Sequence, residues 1–415
     1  MKIKVYLCVL LCSSLLLCAT ACSKNPTDEA SSIVELVYEE VVHTESSENI
    51  QSETENLVSD NSVQSNLTSS IKSETEVGFK AINSIDYVCS RDIPGFEAVY
   101  TIERLITDSQ ENIIYFSEFT CDTAGVRIEK NKIYVPNDIR NSTNQILITA
   151  RHKDSGISEV FDITFDGDWE MTFEDDFNGT EINTSNWEHY PEWPIEKGYA
   201  GRFSNDLSFL DGNGNLVSRA YCSGETDADG RQKYYAGGVR SKGLFESTYG
   251  YYEVRVRPHQ ITGGWGSFWI VAGDMEKPVA YDNLSLNGVA LCLEMYKKYN
   301  YINHGCAWDG MDTEKYVSAS SRLGPNTSKV TDKLFDGNFH TLGIRWTTEE
   351  YIYYIDGTES YRVSAVGGAC NQPGYLNITT EFSTFAGELL LKTGEYSDML
   401  VDYVRVYQNS ADYVY

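Results

Sequence analysis

The sequence predicts an all-β protein in which a small β-sandwich precedes a larger, curved jelly-roll β-sandwich. From about residue 77 onward, short runs alternate apolar and polar residues with a period of two, and turn residues separate these runs. From about residue 167 onward, glycine and aromatic residues become more frequent and no long helical periodicity occurs. A length of 415 residues exceeds one ordinary domain, so at least two folded units are expected.

The amino terminus has the layout of an export signal, predicted over residues 1–22. A basic start is followed by an apolar run from Val5 to Leu17 and then by Ala19-Thr20-Ala21-Cys22. This end resembles a bacterial lipobox, which implies a lipid anchor on Cys22; an ordinary cleaved signal is the alternative, because Ala-x-Ala also suits the general peptidase. The apolar run is shorter than the ~20 residues that cross a bilayer. We therefore expect an exported, cell-surface protein that contacts the membrane through its anchor only.

Residues 23–76 are rich in Ser, Thr, Glu and Asn and predict a disordered stalk, because they bury too little apolar area to order themselves. The formal net charge of -28 opposes binding to nucleic acid, and a neutral polysaccharide is the more compatible partner of an expected monomer. An exported chain permits disulfides. Their connectivity cannot be derived from spacing, and buried thiols are the alternative for the cysteines outside the signal: Cys89, Cys121, Cys222, Cys292, Cys306 and Cys370.

Residues 77–166 contain six short alternating runs, which predict a small sandwich. The stretch from Gly125-Val126-Arg127-Ile128 to Ile148-Thr149-Ala150-Arg151 resembles the immunoglobulin-like repeats of bacterial surface proteins. No catalytic cluster occurs in this part of the sequence. The resemblance implies a spacer or adhesion module.

Residues 167–408 predict the larger sandwich. Tyr252-Glu253-Val254-Arg255-Val256-Arg257 alternates cleanly, so one face of that strand meets the core. A second strand, from Gly263 to Val271, places Trp265, Ser267 and Trp269 on one face and Phe268 and Ile270 on the other.

Several ordered blocks in this region resemble glycoside hydrolase family 16, the laminarinase, lichenase and agarase-like group, over residues 168–408. The resemblance implies a concanavalin-like jelly roll that acts on polysaccharide, either a β-glucan or a galactan. It also implies a retaining mechanism in which two glutamates flank an aspartate on one cleft strand. The blocks that carry it are Trp169–Gly179, Tyr235–Gly243, Tyr249–Arg255, Asn303–Gly310, Phe339–Trp346, Tyr354–Gly357 and Val401–Tyr407.

The run from Asn287 to Tyr296 occupies the place of this cleft strand, with Glu294 at the acid/base position. An unbulged register places Ala290 at the nucleophile and Cys292 at the central aspartate, whereas a bulged register places Val289 and Leu291 there. Neither register supplies a carboxylate. We therefore expect polysaccharide recognition with lost or strongly reduced hydrolysis, because alanine cannot form a glycosyl ester.

Two alternatives remain open from the sequence. The first is an active endo-acting glycosidase with Glu294 as acid/base and a base ~6.5 to 9.5 Å away. Cys292 as a replacement nucleophile is disfavoured by the charge of Glu294. The second alternative is an adhesion lipoprotein whose cleft has no ligand. The residues that could supply the base are Asp274, Glu276, Asp282 and Glu381.

Four aromatic residues and one acid are further candidates for substrate binding, with core packing as the alternative for each ring. Asp402 lies where the resemblance implies a structural calcium ligand, or it hydrogen-bonds a neighbouring strand; no other cofactor is expected. Cys292 and Cys306 either pair across adjacent strands or are unrelated thiols. The predicted substrate-binding residues are Trp265, Trp269, Tyr296, Trp308 and Glu381.

Overall fold

The structure is a computed structural model of the chain. It describes residues 81–107, 114, 117–194, 200–273, 288–308, 317–323, 333–365, 369–383 and 387–413, with the side chains of 299, 307–308 and 317–323 left out. The predicted signal, the anchor residue Cys22 and the stalk lie outside the described residues. Within the described ranges, no helix has the length and apolar character that crossing a bilayer requires.

The first part of the described chain forms two small sheets around a shared core. One sheet has the order β1-β2-β5-β4 and the other β3-β6-β7, all antiparallel. Strand β6 alternates cleanly, with Ile146, Ile148 and Ala150 at most 3% exposed. The elements are β1 (Ile82–Arg91), β2 (Ala98–Thr107), β3 (Ser117–Thr120), β4 (Arg127–Glu129), β5 (Lys132–Val135), α1 (Asn137–Ser142), β6 (Gln145–His152) and β7 (Ser158–Thr164).

The second part forms two larger sheets from seventeen strands. Their bounds are β8 (Trp169–Asp175), β9 (Glu188–His189), β10 (Ala200–Phe203), β11 (Ser208–Leu210), β12 (Leu216–Thr226), β13 (Gln232–Ala236), β14 (Gly238–Arg240), β15 (Gly250–Arg257), β16 (Gly264–Ala272), β17 (Val289–Tyr296), β18 (Tyr301–Trp308), β19 (Val317–Leu323), β20 (His340–Trp346), β21 (Glu350–Ile355), β22 (Thr358–Ser364), β23 (Gly374–Phe382) and β24 (Tyr396–Asn409).

Ten of these strands form one sheet with the order β10-β13-β12-β24-β15-β20-β21-β22, to which β8 adds beside β24 and β11 beside β12. The other seven form a sheet with the order β19-β18-β17-β16-β23-β14-β9. The pairs are antiparallel except β10 with β13. The predicted all-β class is confirmed, and the predicted boundary between residues 166 and 167 falls in the connection from β7 to β8.

The main core lies between the two larger sheets. Phe268 and Ile270 of β16 belong to it, together with Leu376 and Ile378 of β23. Because side chains alternate along a strand, the residues between these point away from the core. The prediction that Phe268 and Ile270 share the core face is therefore confirmed. We call the opposite side of the seven-stranded sheet its outer face.

The connection between the two parts is held by Arg140 of α1, which is only 2% exposed. Its guanidinium donates to Asp92 at 2.8 and 3.0 Å and to the carbonyls of Asp166 and Gly167. A mixed apolar cluster lies beside this ion pair and contains Ile93, Phe96, Trp169, Tyr251, Ile352, Tyr354 and Tyr407. The small sandwich therefore packs on the outside of the ten-stranded sheet, away from the outer face of the seven-stranded one.

A buried polar network crosses the interior near the end of the main core. The two ring nitrogens of His259 contact the hydroxyls of Ser397 at 3.0 Å and Thr380 at 2.9 Å. Thr380 is joined in turn to Ser218 at 2.7 Å. Burial lowers the pKa of His259 to about 4, against a smaller opposing effect of Asp398. The neutral imidazole is the form that this interior accommodates.

We predict that His259 makes the protein acid-sensitive. Its folded pKa lies below the unfolded value of 6.5, so between pH 6.5 and 4 only the unfolded chain binds the proton. The free energy of unfolding should fall by up to roughly 3 kcal/mol across this window, since 2.5 units at about 1.36 kcal/mol each are involved. His259→Gln should remove this component of the pH dependence, as measured by urea unfolding at several pH values.

His340 provides a matched control with the opposite sign. Hydrogen bonds from its ring to Asp356 at 2.8 Å and Asp336 at 3.2 Å raise the pKa of His340, the former being the larger effect. The contribution of His340 to the free energy of unfolding is fully present below the pKa of the unfolded chain. It is lost as the pH rises through the pKa of the folded chain. His340→Gln should therefore flatten the alkaline side of the plot of unfolding free energy against pH.

For His259, the contradicting outcome lies on the acid side of the same plot. If the fall in unfolding free energy between pH 6.5 and 4 is unchanged in His259→Gln, the acid sensitivity does not come from His259.

Candidate functional site

Strand β17 lies in the middle of the seven-stranded sheet and pairs regularly with both neighbours. Its ladders to β16 and β18 contain no register shift from Val289 to Tyr296. Val289 and Leu291 belong to the main core, whereas Ala290 and Cys292 form a separate small cluster with Trp269 on the outer face. The structure therefore has the unbulged register. Ala290, Cys292 and Glu294 share one face, and the roles assigned to them remain predictions.

Glu294 is fully buried on this outer face. It is the Cα partner of Ser267 on β16 and of Asn303 on β18. The amide Nδ2 of Asn303 donates a hydrogen bond to Glu294 Oε2 at 2.7 Å. This contact orients the carboxyl group of Glu294. The ionised carboxylate accepts hydrogen bonds, whereas the protonated form can also donate its proton as an acid.

The two positions before Glu294 on the same face are apolar in character. Ala290 is 6% and Cys292 0% exposed, and both pack against Trp269. The Cys292 sulfur occupies the space above Gly305, where an added Cβ would lie 2.3 Å from it. A retaining glycosidase needs a second carboxyl group about 5 Å from the acid. Strand β17 offers none.

The two cysteines of this region lie on opposite sides of the sheet. Cys292 belongs to the outer-face cluster, while Cys306 belongs to the main core. The register pairs Cys306 with Leu291 rather than with Cys292. A disulfide requires Cβ vectors that point toward each other, so the alternative of a Cys292–Cys306 bridge does not fit the structure.

Three aromatic rings pack on each other beside Glu294. The rings of Trp265 and Tyr296 stack with centroids 5.2 Å apart, and Tyr296 contacts Tyr301 at 4.9 Å. Burial raises the pKa of Tyr296 well above its usual value, and the charges of Glu294 and, more weakly, Glu381 add to this effect. The cluster therefore brings both acids close to one phenol.

The predicted stacking residues are more enclosed than an open platform would be. Trp265 is 0%, Trp269 3% and Tyr296 3% exposed. A sugar can contact these rings only after they are uncovered. Trp308 lies in β18 opposite Val289, and its side chain is outside the described part. Substrate binding by these four residues stays a prediction.

Glu381 is the other acid on this face. It is 6% exposed, is the Cα partner of Trp265, and accepts a hydrogen bond from Thr379 Oγ1 at 3.4 Å. Glu381 lies on β23, two strands away from β17, and is displaced from Glu294 by two residues along the strand direction. At ordinary sheet spacing, the two Cα atoms are therefore about 12 Å apart. The other three proposed bases, Asp274, Glu276 and Asp282, lie outside the described residues.

Several polar residues of the site lie on the strands beside β17, and the sequence pattern of β17 does not predict them. Asn303 on β18 and Asn377 and Thr379 on β23 come into the site through cross-strand register. Alternation along β16 predicts that Ser267 shares a face with Trp265 and Trp269. Its position opposite Glu294 is seen only in the pairing of β16 with β17. Only the assembled sheet brings these four together.

Asp402 does not have the surroundings of a calcium ligand. Its carboxylate is ion-paired with the guanidinium of Arg255, which also lies 5.0 Å from the Phe339 ring centroid. A fixed positive charge on the same carboxylate opposes a divalent cation. Across the described ranges, no group of three or more His, Cys, Asp or Glu side chains could hold a metal ion. The residues at Asp402 therefore do not fit the implied calcium.

Comparison with known proteins shows the family to which this chain belongs. A family model described as "Beta-porphyranase A-D, GH16 domain" matches residues 169–409, which are more than half of the chain. The chain belongs to glycoside hydrolase family 16. The predicted jelly-roll fold of this part of the chain is thus the fold of its family.

Two relatives of this glycoside hydrolase family 16 chain are similar over the same region. The endo-1,3-1,4-beta-glycanase EglC of Rhizobium meliloti strain 1021 is 24% identical over 270 residues, 59% of this chain and 52% of that protein. The keratan-sulfate endo-1,4-beta-galactosidase of Sphingobacterium multivorum is 26% identical over 252 residues, 58% and 56% of the two chains. The chain spans about half the length of these relatives.

Among solved structures, the catalytic domain of an endo-1,3-beta-glucanase (laminarinase) from Thermotoga petrophila RKU-1 is 20% identical. The alignment covers 59% of this chain and 99% of that one, with a TM-score of 0.46.

We predict that Cys292 and Gly305 depend on each other sterically. Gly305→Ala should lower the free energy of unfolding by about 1–3 kcal/mol, because the new methyl group meets the Cys292 sulfur in a packed sheet. Cys292→Ala in the same chain should recover part of this loss, as measured by a double-mutant cycle in urea.

Gly179→Ala is the control for this cycle, because its added Cβ would meet its nearest atom at an ordinary 3.5 Å. Its effect should stay within about 1 kcal/mol. Additive effects of Gly305→Ala and Cys292→Ala would contradict the predicted contact.

Proposed function

We propose that this domain recognises a polysaccharide on the outer face of its seven-stranded sheet and has lost most or all hydrolysis. The observation that carries the proposal is the regular register of β17, in which Ala290 and Cys292 are the residues that share the face of Glu294 and the strand itself supplies no second carboxylate. An alanine has no group that can attack the anomeric carbon. Removing one member of such a catalytic unit reduces the rate by on the order of 10⁴ or more.

The class of polymer is proposed from the relatives and the family model. Their names describe an endo-1,3-1,4-beta-glycanase, a keratan-sulfate endo-1,4-beta-galactosidase and a beta-porphyranase. We propose a β-glucan or a galactan for this chain. The position of the rings of Trp265, Trp269 and Tyr296 on the outer face supports a carbohydrate ligand, because aromatic faces are the apolar surfaces on which sugar rings stack once the rings are uncovered.

The surrounding parts of the chain are proposed to present this domain outside the cell. The strand orders β1-β2-β5-β4 and β3-β6-β7 support an immunoglobulin-like module, since constant-type domains have this arrangement. The apolar run and Cys22 support export and lipid anchoring, with residues 23–76 as the stalk. We propose a monomeric surface lipoprotein that does not bind nucleic acid.

Residual hydrolysis is the second candidate, and one observation favours it. Glu294 and Glu381 both act on the Tyr296 phenol, so two acids border the same part of the outer face. In an inverting reaction, one would protonate the leaving oxygen while the other activates water. This route needs no group at Ala290.

The first experiment separates binding from cleavage. We expect the purified protein to migrate slowly in gels that contain laminarin, lichenan, agarose or porphyran, and to release no reducing ends from the same polymer. Trp265→Ala should abolish the retardation, whereas Glu294→Gln should preserve it. Release of reducing ends that disappears in both Glu294→Gln and Glu381→Gln would establish the second candidate instead.

The second experiment tests the register through gain of function. Ala290→Glu with Cys292→Asp restores the missing carboxylates to the face of Glu294, and we expect measurable hydrolysis of the bound polymer. The matched control is Val289→Glu with Leu291→Asp, which follows the bulged register. Those side chains would enter the main core, so the control should unfold at lower temperature and remain inactive. Activity in the control alone would overturn the unbulged assignment.

A further inference from the structure

Three tyrosines lie in one row across adjacent strands of the ten-stranded sheet. Tyr221 on β12 is the Cα partner of Tyr235 on β13 and also of Tyr396 on β24. Residues that are direct partners in a sheet point to the same side of it. We call these three residues the tyrosine row. It belongs to a different sheet from Glu294.

The tyrosine row faces away from the interior of the sandwich. Ala220 and Cys222, on either side of Tyr221 in β12, belong to an apolar cluster that also contains Phe382 of the seven-stranded sheet. Because side chains alternate along a strand, Tyr221 points to the opposite side. Tyr396 is 55% exposed, and the other two tyrosines are half-buried. The row is therefore a solvent-facing surface on the reverse side of the domain.

The small sandwich docks at the other end of β24 from the tyrosine row. It meets the ten-stranded sheet in the mixed apolar cluster that contains Tyr407, close to the end of this strand. Tyr396 is the first residue of the strand. The separation of the two residues along the sequence corresponds to roughly 35 Å of extended strand. The docked sandwich therefore leaves the row open to a ligand.

An arginine fixes one end of the tyrosine row. The Arg219 guanidinium carbon lies 3.8 Å from the ring centroid of Tyr396 and 5.0 Å from that of Phe209. Arg219 also donates to both carboxylate oxygens of Asp398, at 2.7 and 2.8 Å. This bidentate pair uses two of the five N–H donors of an arginine. The Tyr396 ring is thus held in place before a ligand arrives, which reduces the entropy lost on binding.

The size of the row opposes a protein partner. Strands in a sheet lie about 4.8 Å apart, so the three Cα positions span only about 10 Å. Three half-buried tyrosines expose on the order of 300 Å² in all, since an aromatic side chain buries 150–250 Å² when fully enclosed. A specific protein interface needs about 800 Å² on each partner. The row is too small for a stable protein complex.

An extended sugar chain matches the row in shape and chemistry. Pyranose rings present apolar faces, which stack on aromatic rings, and hydroxyl groups, which both donate and accept hydrogen bonds. A chain that crosses the strands can place successive sugar units on successive tyrosines. Arginines lie at both ends of this path, because Arg202 on β10 is the Cα partner of Tyr235 and Arg219 stacks on Tyr396.

We propose that the tyrosine row is a second polysaccharide-binding surface, which holds another strand of the polymer that the outer face of the seven-stranded sheet recognises. This inference rests on the proposed function and adds a contact on the opposite sheet. The row is small, so it acts through avidity: a protein held at one surface meets a second polymer strand at a high effective concentration. The protein is therefore bivalent and bridges polymer strands.

The test compares the unaltered full chain with the double variant Tyr221→Ala and Tyr396→Ala. Retardation is measured in gels that contain laminarin, lichenan, agarose or porphyran, and calorimetry measures binding of a hexasaccharide from the polymer that retards the chain. We expect the double variant to be retarded about tenfold more weakly, because it has lost avidity. Its affinity for the hexasaccharide should not change, since a short ligand gains nothing from a second surface.

Two further variants control for loss of folding. The double variant Tyr221→Phe and Tyr396→Phe keeps both rings and should be retarded like the unaltered chain. Tyr134→Ala is the matched control, because Tyr134 is also half-buried on a strand, with the guanidinium carbon of Arg127 4.0 Å from its ring centroid, but lies in the small sandwich. Tyr134→Ala should leave retardation and hexasaccharide affinity unchanged.

The outcomes separate this inference from the proposed function. Unchanged retardation of the double alanine variant would overturn the inference alone, as would an equal loss of its hexasaccharide affinity. Retardation that persists in Trp265→Ala but is lost in the double alanine variant would overturn the proposed function and leave the tyrosine row as the main binding surface. If no polymer retards the unaltered chain, both are wrong.

Discussion

Strand β17 lies between β16 and β18 and exchanges backbone hydrogen bonds with both along its whole length. Because this pairing is regular, every second side chain enters the main core and the others form the outer face. Leu291 and Leu293 therefore stabilise the sandwich, while Cys292 and Glu294 belong to the site. A shift by one residue would bury Glu294 between the sheets. Core packing and site composition are consequences of the same register.

Packing contacts, rather than paired charges, make up most of the outer face around Glu294. Two carboxylates beside Glu294 would repel it and each other, and they would need compensating donors. Ala290 and Cys292 instead pack on Trp269, and Trp265, Tyr296 and Tyr301 form a stack nearby. What remains polar is Glu294 with its Asn303 donor, Glu381 with Thr379, and the buried polar atoms of Ser267, Trp269 and Asn377. This composition supports the proposed recognition of polysaccharide, because β17 supplies no second carboxylate to form a covalent intermediate.

Alternation allowed much of the fold to be predicted from the sequence. The strand from Gly263 to Val271 showed its two faces directly, because an apolar core face leaves a period-two pattern. The absence of a second acid from β17 was also evident from the sequence, since neither register contains one. The choice between the registers was not predictable, because a bulge depends on hydrogen bonds to the neighbouring strands. The ion pair of Asp402, which does not fit the implied calcium, was not predictable for a similar reason, because its partner Arg255 comes from another strand.

The sequence by itself determined the all-β class, the order of the two sandwiches and the absence of a second acid on the strand that carries Glu294. These are local properties, which depend on residue identity and on the period of one strand. Only the tertiary structure decided that Cys292 and Cys306 lie on opposite faces, that the aromatic rings are enclosed, and that Ser267 and Asn303 flank Glu294. Those facts depend on cross-strand register between segments up to about a hundred residues apart. A site on a sheet is assembled across strands, perpendicular to the direction in which the sequence is written.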